Sequence, residues 1–426
     1  MKINIEKIKT EKIIIGILLL AFLIRIITLL NYGNDLTMYS DDTRYIISGI
    51  EFAKTGHIVY DGNTEPTVFM MPGMALLLSI IFRFTGYTFE GLLLARIPFV
   101  ILGVISVYGV YLIAKKLFSK NAGNIAAFLL ALSFPHITIN NMFLTETPFI
   151  CITIFFIYFT LKYCDSKSNK DFLILLTLFL VGILFKPTIG ALPLVFIPYF
   201  LIRRFPLKLI ITRGIYAIVR FILFMAPWWV RNYKVVEEFL PFTGNQGDTK
   251  LLGTYQGWGY PDDYTLNDVA TILNEKSRNG EYEHRYFQFK EKGEIANERI
   301  KKWKNENPKE FIFTYLVYKP MKMMKEPFYD MPIFDINKNI IKYMQQLIII
   351  ITGIGVLGWI LRLKKVENKN GVLLLLLVNF YFIYLNAVYY AHPRYSAYIM
   401  PFIFLLTGYV VDIFYNLIKK YIIKLT

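Results

Sequence analysis

Hydrophobic residues in this chain fall in long blocks, and polar or charged connections separate the blocks. Blocks of about 17 to 25 apolar residues have the length of a helix that crosses a bilayer. Such segments are expected to be helical, because a backbone in lipid must pair its own polar groups. The pattern predicts an all-α polytopic membrane protein with about ten spans. The blocks lie at residues 13–31, 91–114, 122–139, 147–161, 171–185, 188–202, 214–230, 340–361, 371–390 and 397–418.

Lysine and arginine cluster in every second connection. They are Lys2, Lys7, Lys9 and Lys12; Lys115, Lys116 and Lys120; Lys162, Lys167 and Lys170; Arg203, Arg204, Lys208 and Arg213; Arg362, Lys364, Lys365 and Lys369; and Lys419, Lys420 and Lys424. The positive-inside rule then predicts cytoplasmic termini and a site on the extracytoplasmic face of the plasma membrane. The first block could instead be a signal peptide, although it is long for one and no cleavage site follows.

Two longer regions, 32–90 and 231–338, face outward in this topology. Helical stretches are predicted at 43–54 and 283–305, and the apolar stretch 74–84 is too short to span comfortably, so an interfacial or re-entrant helix is expected there. The expected organisation has three parts. They are an N-terminal membrane module with its first outer loop (1–230), a small α-rich outer loop region (231–338) and the C-terminal membrane helices (339–426).

Composition agrees with the apolar pattern and changes the meaning of the charge. Hydrophobic residues make up 55% of the chain, above the 45–50% of soluble domains. The 47 Lys and Arg exceed the 31 Asp and Glu by 16, but most of that surplus lies in the alternate basic loops. The charge therefore records membrane topology, and membrane lipids, not nucleic acid, are the expected partners.

Metal and nucleotide chemistry find no support in the sequence. The four histidines, His57, His136, His284 and His392, are scattered without ligand spacing. No Walker A loop, dinucleotide-binding glycine motif or nucleophile elbow occurs. No cofactor and no divalent metal are expected.

Two acids near the first span are the first candidates for chemistry. Asp41 and Asp42 follow the span by about ten residues, and either carboxylate could take a proton from an acceptor hydroxyl. The structural alternative is helix capping, since Ser40 and both acids precede the predicted helix. One acid can cap the helix while the other does chemistry.

Charged residues at the outer ends of spans are the other candidates, because charge near lipid is costly unless pairing or function offsets it. Glu146 can simply start a helix, Lys186 can extend to the interface, and Arg231 can sit in a belt of tryptophans. The functional alternative is a carboxylate that orients a cation, and cations that hold a lipid-linked phosphate. Arg394 and Arg44 are further cations on the outer side.

Taken in order, these motifs resemble the GT-C superfamily of membrane glycosyltransferases. The nearest branch contains the dolichyl-phosphate-mannose protein mannosyltransferases and the aminoarabinose transferase of lipid A. The carrying residues are Asp41-Asp42 with Tyr45, Met71-Pro72-Gly73, Ala114-Lys115-Lys116-Leu117-Phe118, Thr145-Glu146-Thr147, Leu184-Phe185-Lys186-Pro187-Thr188, Pro227-Trp228-Trp229-Val230-Arg231-Asn232, Pro241-Phe242-Thr243-Gly244-Asn245-Gln246-Gly247, and Arg394-Tyr395 before Pro401-Phe402.

The resemblance implies an inverting transferase that takes a sugar from a polyprenyl-phosphate donor to a lipid, glycan or protein acceptor on the outer face. It implies a base at Asp41 or Asp42, where the superfamily usually has an Asp-Glu pair. The phosphate would lie near Arg231, Arg394, Lys186 and Arg44, and positioning groups would be Glu146, Tyr45, Asn232 and Tyr395. The residues leave two alternatives open, a polymerase or ligase that uses diphosphate-linked glycans and a lipid or sugar transporter.

Overall fold

The computed structural model describes residues 5–60, 65–361 and 369–425, and within these ranges the regular structure is helical. Four of the basic topology residues, Lys2, Arg362, Lys364 and Lys365, lie outside the described residues. The first half of the chain forms α1 (Ile5–Tyr32), α2 (Asp41–Thr55), α3 (Gly73–Thr85), α4 (Phe89–Ala95), α5 (Ile97–Leu117), α6 (Lys120–Ala131), α7 (Phe134–Ile139), α8 (Glu146–Ser166), α9 (Asn169–Phe185), α10 (Leu192–Ile202) and α11 (Leu207–Val236).

The second half begins with the loop region and returns to long apolar helices. Its helices are α12 (Gln246–Gly253), α13 (Leu266–Arg278), α14 (Arg285–Glu306), α15 (Pro308–Phe313), a π-helical turn (Thr314–Tyr318), α16 (Lys319–Lys325), α17 (Lys338–Leu361), α18 (Lys369–Ala387) and α19 (Ser396–Leu425). The all-helical prediction is confirmed. So are the helices predicted in both outer regions, as α2, α3 and α14.

Seven helices in the described ranges are long and apolar enough to cross a membrane. They are Lys12–Asp35, Phe89–Leu117, Glu146–Ser166, Leu207–Val236, Lys338–Gly358, Lys369–Ala387 and Pro393–Ile422. The other predicted spans correspond to shorter helices, α9, α10 and the pair α6 and α7. Span 122–139 was predicted as one helix and is two, because the helix stops at Ala131 and restarts at Phe134 with Pro135 in its first turn.

A buried arginine satisfies the backbone where α6 stops. Helix ends leave carbonyl groups without helical partners, which is costly in lipid. The Arg25 side chain, fully buried, donates to the carbonyls of Ala131 (3.2 Å) and Leu130 (3.4 Å), and its Nε donates to Asn140 Oδ1 (2.8 Å). The charge in α1 is therefore explained by the helix end that it covers.

The helix bundle has two chemically different ends. At one end, which we call the basic end, a small cavity is lined by Lys116, Asp165, Arg203 and Lys369. At the opposite end Asp41, Glu146, Lys186 and Arg394 meet, and we call this the site end. Residues of three basic connections thus meet at one end of the bundle, a grouping that the positive-inside pattern favours.

Close packing of α3 on α9 shapes the site end. A Cβ atom on Gly73, the first residue of α3, would lie 2.5 Å from the carbonyl oxygen of Leu184, so only glycine fits. This contact sets the first outer loop against the turn that carries Lys186. It gives a physical reason for glycine in the Met71-Pro72-Gly73 motif.

Candidate active site

The two adjacent acids have different surroundings. Asp42 is buried and accepts hydrogen bonds from the Thr37 hydroxyl (2.6 Å) and the backbone N–H groups of Met38 (2.8 Å) and Ser40 (3.1 Å). Carboxylates that accept several such bonds fix a turn in place. Asp42 therefore shapes the loop before α2 and leaves Asp41 as the acid that faces the other charged groups.

Asp41 begins α2 and contacts one group of its own helix and two groups from other parts of the chain. The Tyr60 hydroxyl donates to Oδ1 (3.0 Å), Arg394 Nη1 donates to Oδ2, and Arg44 Nη1 lies 3.8 Å from Oδ1. The side chain remains 27% exposed. Asp41 is thus held in one orientation and remains accessible to a reactant.

Glu146 is the most deeply buried member of the site. Its side chain has no exposed surface and begins α8. Arg394 donates two hydrogen bonds to its carboxylate, from Nε to Oε1 (2.6 Å) and from Nη2 to Oε2 (2.9 Å). Lys186 Nζ donates to Oε1 (3.0 Å). Such bidentate charged contacts are short and directional. Asp41, Glu146, Lys186 and Arg394 form what we call the ionic cluster.

The ionic cluster holds two negative and two positive charges in contact. A buried charge is tolerated when it is paired and hydrogen-bonded. Arg394 bridges the two acids, because the same guanidinium contacts Asp41 and Glu146. The sequence predicted Glu146 to orient a cation, and in the structure it contacts two.

The neighbours of Asp41 hold that carboxyl in its charged form. Burial would raise the pKa of Asp41, but the positive charge and hydrogen bond of Arg394, with the Tyr60 hydrogen bond, keep that pKa below its usual value. Burial and the Asp41 charge raise the pKa of Tyr60 to about 12. Tyr60 is therefore a hydrogen-bond donor and Asp41 an acceptor, the state that a general base requires.

A cavity of about 940 Å³ opens beside the ionic cluster and runs between α9, α10 and α11. At the site end its wall includes Lys186, Tyr45, Thr145 and Tyr395. Toward the basic end the wall becomes mainly aromatic and aliphatic, with Arg213 as a cation at that end. The residues there include Tyr163, Phe172, Leu176, Phe179, Phe200, Phe205, Ile210 and Phe221. The cavity is a long apolar groove with a polar, cationic mouth.

The predicted cations fall in three places. Lys186 lines the cavity and Arg394 lies behind it in the ionic cluster. Arg44 stacks over the Tyr60 ring, 5.0 Å from its centroid, on the far side of Asp41. Arg231 does not belong to the cavity wall described above.

Arg231 and Asn232 instead join α11 to its neighbouring loops. Arg231 Nη1 donates to the Thr67 carbonyl and to Asn232 Oδ1 (3.0 Å), and the guanidinium stacks on Trp228, 5.0 Å from the ring centroid. Trp228 Nε1 donates to the Phe242 carbonyl (3.0 Å). This part of the Trp-Trp motif fastens the first outer loop and the 240–242 turn to the end of α11.

Sequence reasoning missed several groups at the mouth of the groove. Tyr60 lies in an irregular segment and carried no motif. Tyr398, three residues after Tyr395 and so on nearly the same helix face, could have been found from that spacing; its ring centroid is 5.7 Å from Lys186 Nζ. Further polar side chains in the wall are Thr188, Thr243, Asn245, Gln246, Thr249 and Asn386. Among residues 5–60, 65–361 and 369–425, no three His, Cys, Asp or Glu side chains gather as metal ligands would.

Comparison with known structures identifies the class of fold. The chain aligns with the crystal structure of the Archaeoglobus fulgidus oligosaccharyltransferase tethered with an acceptor peptide, at a TM-score of 0.56 and 14% identity, over 96% of this chain and 50% of that chain. The apo form of the same enzyme aligns at a TM-score of 0.52 and 13% identity, over 96% of this chain and 51% of that chain. ArnT from Cupriavidus metallidurans bound to undecaprenyl phosphate aligns at a TM-score of 0.43 and 14% identity, over 93% of this chain and 77% of that chain. The chain spans about half the length of the oligosaccharyltransferase.

At these identities the likeness shows the fold, which is the GT-C fold. Residues 65–230 also match the family model described as dolichyl-phosphate-mannose-protein mannosyltransferase. No protein of curated function matches the sequence significantly. The match over residues 65–230 and the GT-C fold agree with the resemblance that the motifs carry, and the apolar helices indicate a multi-pass membrane protein.

Proposed function

We propose that this protein is an inverting glycosyltransferase that moves a sugar from a polyprenyl-phosphate donor to an acceptor on the extracytoplasmic face of the membrane. One observation carries the proposal: an apolar groove of about 940 Å³ leads to a mouth lined by Lys186, and Glu146 and Arg394 connect this lysine to an oriented, accessible Asp41. A lipid-linked sugar has the same division into apolar chain, phosphate and sugar.

The apolar polyprenyl chain of the donor matches the apolar groove, and its phosphate matches the cationic mouth. Apolar side chains of α9 and α11 can cover the apolar polyprenyl chain of the donor. Lys186 provides a cation at the polar end of the groove. Lys186 is the predicted phosphate ligand best supported, because it lines the cavity and its ammonium group is oriented by the hydrogen bond to Glu146. Arg394 adds positive potential behind it.

The reaction requires one proton transfer and one displacement. Asp41 takes the proton of the acceptor hydroxyl, and the freed oxygen attacks the anomeric carbon from the face opposite the phosphate. The bond from that carbon to the phosphate oxygen breaks, and the phosphate leaves with the electron pair. Lys186 and Arg394 stabilise the charge that develops on the phosphate.

Glu146 has a positioning role in this proposal. Its carboxylate holds Arg394 by two nitrogens and Lys186 by one, so both cations are fixed before a donor arrives. Preorganised charge stabilises a transition state without reorganisation at the moment of reaction. The same two cations supply the charge that a divalent ion would otherwise supply, so activity should survive EDTA.

The site end is proposed to face outward, with both termini cytoplasmic. The support is the gathering of basic loops at the opposite end of the bundle. Cysteine placed at Tyr39, exposed at the site end, should react in intact cells with a membrane-impermeant maleimide, and cysteine at Asn121, exposed at the basic end, should not. Both native cysteines are buried, so background is low. The reverse labelling would invert the topology.

Loop region 231–338 is proposed to choose the acceptor. It contains α12 to α16, and α12 reaches the mouth through Gln246 and Thr249. The boundary between this region and the module 1–230 separates two proposed roles. It is not a break in the structure, because α11 continues across residue 230 to Val236.

The direct test uses purified protein in nanodiscs with a radiolabelled sugar on a polyprenyl monophosphate, and the same sugar on the diphosphate. Product is expected from the monophosphate alone, with inversion at the anomeric carbon. Product from the diphosphate alone would replace the proposal with the polymerase or ligase alternative. Binding without transfer under every acceptor condition would favour a transporter.

The groove itself has a matched test. Gly214 on α11 lines it, and a Cβ atom there would meet no atom within 4 Å, so Gly214→Trp adds bulk at the groove wall with its Cβ in open space. Donor KM should rise, because the chain loses its place. Gly353 on α17 is equally open but lies elsewhere, and Gly353→Trp should leave donor KM unchanged. Equal effects of both variants would contradict the groove assignment.

A further inference from the structure

The helical stretch Pro308–Lys325 is amphipathic and lies outside the seven spans. One face is buried against the protein through Thr314, Lys319 and Met323. The other face exposes large apolar side chains. They are Ile312 (55%), Phe313 (47%), Leu316 (53%), Val317 (38%) and Met321 (62%). Exposed apolar faces of this size mark a surface that is covered in the functional state.

This face continues the lipid-facing surface of a spanning helix. The Tyr384 hydroxyl, one turn before the end of α18, donates to the Leu316 carbonyl (3.1 Å). Tyr384 stacks on Phe380, with ring centroids 4.3 Å apart, and Phe380 is itself exposed. Leu316 therefore lies beside the last two turns of α18, next to the exposed Phe380.

The flanking residues are those of a membrane interface. Trp258 is exposed and its ring centroid lies 4.6 Å from Tyr318 and 5.7 Å from Phe313. Lys309 and Lys325 stand near the two ends of the stretch. Tryptophan and tyrosine favour the headgroup region, and lysines there meet lipid phosphates.

We propose that residues 308–325 form an interfacial helix that lies in the leaflet at the site end. Ile312, Leu316 and Met321 enter the acyl region, and Trp258 lies at headgroup level. The lipid bilayer is the occupant, because the apolar face is continuous with α18. Such helices bury their apolar face about 5 to 10 Å into the boundary between headgroups and chains.

The test places an environment-sensitive NBD label on single cysteines in vesicles of phosphatidylcholine and phosphatidylglycerol. Leu316→Cys and Met321→Cys should give blue-shifted emission that doxyl-labelled lipids quench. Ile272→Cys is the matched control, since Ile272 is an exposed apolar residue of α13, which packs on α14. It should report water and remain unquenched.

Equal, water-like emission from all three labels would overturn the interfacial helix. So would protection of Leu316→Cys that persists in detergent without lipid and is insensitive to doxyl lipids, because that result would indicate a protein partner. Cys151 and Cys164 are buried, so the labels report the introduced positions.

A second inference rests on different contacts and on the proposed function. The segment between α18 and α19 carries Arg394 into the ionic cluster. Gln256, buried, makes a reciprocal pair with the backbone of Ala391: its Nε2 donates to the carbonyl (3.2 Å) and its Oε1 accepts from the N–H (2.8 Å). The loop region thus holds this segment three residues before Arg394.

Lys319 holds the same segment two residues earlier. Its side chain is fully buried, and Nζ donates to the Tyr389 carbonyl (3.0 Å) while lying 3.8 Å from the centroid of the Tyr315 ring. A Cβ atom on Gly253 would lie 2.6 Å from the same carbonyl oxygen. A π-helical turn precedes Lys319, and such turns are frequent at functional sites.

We infer that Gln256 and Lys319 are positioning residues that act through Arg394. Both anchor backbone groups of the segment 389–391 and do not touch the ionic cluster themselves. Their loss lets Arg394 shift relative to Asp41 and Glu146 without removing a charge from the cluster. Small displacements of a positioned group lower the rate of the chemical step more than binding.

The test compares Gln256→Ala with Gln288→Ala. Gln288 is also a buried glutamine, and its amide donates to Leu273 O and Asn274 Oδ1, away from the segment 389–391. Gln256→Ala should lower kcat on the order of 10- to 100-fold with little change in donor KM. Gln288→Ala should keep kcat.

A double variant makes the test specific. In an Arg394→Lys background, adding Gln256→Ala should cost far less, because the two residues act in series. Full additivity, or unchanged kcat in Gln256→Ala when the wild-type protein is active, would overturn the positioning role. An inactive wild-type protein with every donor would instead overturn the proposed function.

Discussion

The two ends of the bundle each hold one acid between a lysine and an arginine. At the basic end Asp165 pairs with Lys116 and Arg203, and the three side chains are 46%, 29% and 44% exposed. At the site end Glu146 pairs with Lys186 and Arg394, at 0%, 17% and 16%. The same residue types therefore have different roles, because burial makes each contact at the site end costly to break and leaves those at the basic end nearly neutral.

Loss of the base should give the largest contrast. Asp41→Asn removes the proton acceptor and should lower kcat about 10²- to 10⁴-fold, the usual contribution of general base catalysis. Asp165→Asn changes the same chemical group at the basic end and should leave kcat unchanged. Turnover of the polyprenyl-monophosphate donor in nanodiscs measures both. Wild-type turnover in Asp41→Asn would remove the acid from the mechanism.

Loss of the buried acid should give the largest change in stability. Glu146→Gln leaves Arg394 and Lys186 without their shared partner and should lower the free energy of unfolding by about 3 to 5 kcal/mol. Asp165→Asn should change it by less than about 1 kcal/mol, since exposed pairs contribute little. Denaturant unfolding of the two variants in the same detergent provides the comparison. Similar values would show that burial does not separate the two ends.

Loss of the lysine at the mouth should weaken donor use. Lys186→Met removes a charged hydrogen bond to the donor phosphate, which is worth about 1.5 to 3 kcal/mol. Donor binding should fall accordingly, by about 10- to 150-fold at 1.36 kcal/mol per factor of ten. Lys116→Met at the basic end is the control. Donor affinity that is unchanged in Lys186→Met and reduced in Arg231→Ala would move the phosphate to Arg231.

The pH dependence should give the smallest effect. The pKa of Asp41 is lowered, so its carboxylate form persists as the pH falls, and kcat/KM should stay level down to about 3.9, the ordinary value for aspartate. Tyr60→Phe removes one hydrogen bond that lowers this pKa, so the acid limb should move to higher pH. Rate recovery after return to pH 7 controls for unfolding. An acid limb above the ordinary value in the wild type would contradict the charge assignment.

The apolar pattern predicted the helices well, because lipid allows the backbone little else. The short helix expected at 74–84 is Gly73–Thr85, and the helices expected at 43–54 and 283–305 are Asp41–Thr55 and Arg285–Glu306; the other helices of the second outer region were not predicted individually. Breaks were harder to predict. Residues 132–133 interrupt a continuous apolar block, and only the distant Arg25 shows why the interruption is tolerated.

The four residues of the ionic cluster could be named from the sequence, but their contacts could not, and Arg231 and Asn232 were named although they lie outside the cluster. Motif order placed Asp41, Glu146, Lys186 and Arg394 at one membrane face, but the pairing of Glu146 with Arg394 joins positions 248 residues apart. Local periodicity carries no information on such pairs. The different roles of Asp41 and Asp42 likewise depend on a contact that the sequence does not reveal, the hydrogen bond from the Thr37 hydroxyl to Asp42.

The most direct test of the central claim is an electron cryomicroscopy map of the protein in nanodiscs with a polyprenyl phosphate. We expect density for the lipid chain between α9 and α11, with its phosphate within hydrogen-bond distance of Lys186 and facing Asp41. A lipid phosphate bound beside Arg231, or one bound at the basic end near Lys116 and Arg203 with the groove unoccupied, would contradict it.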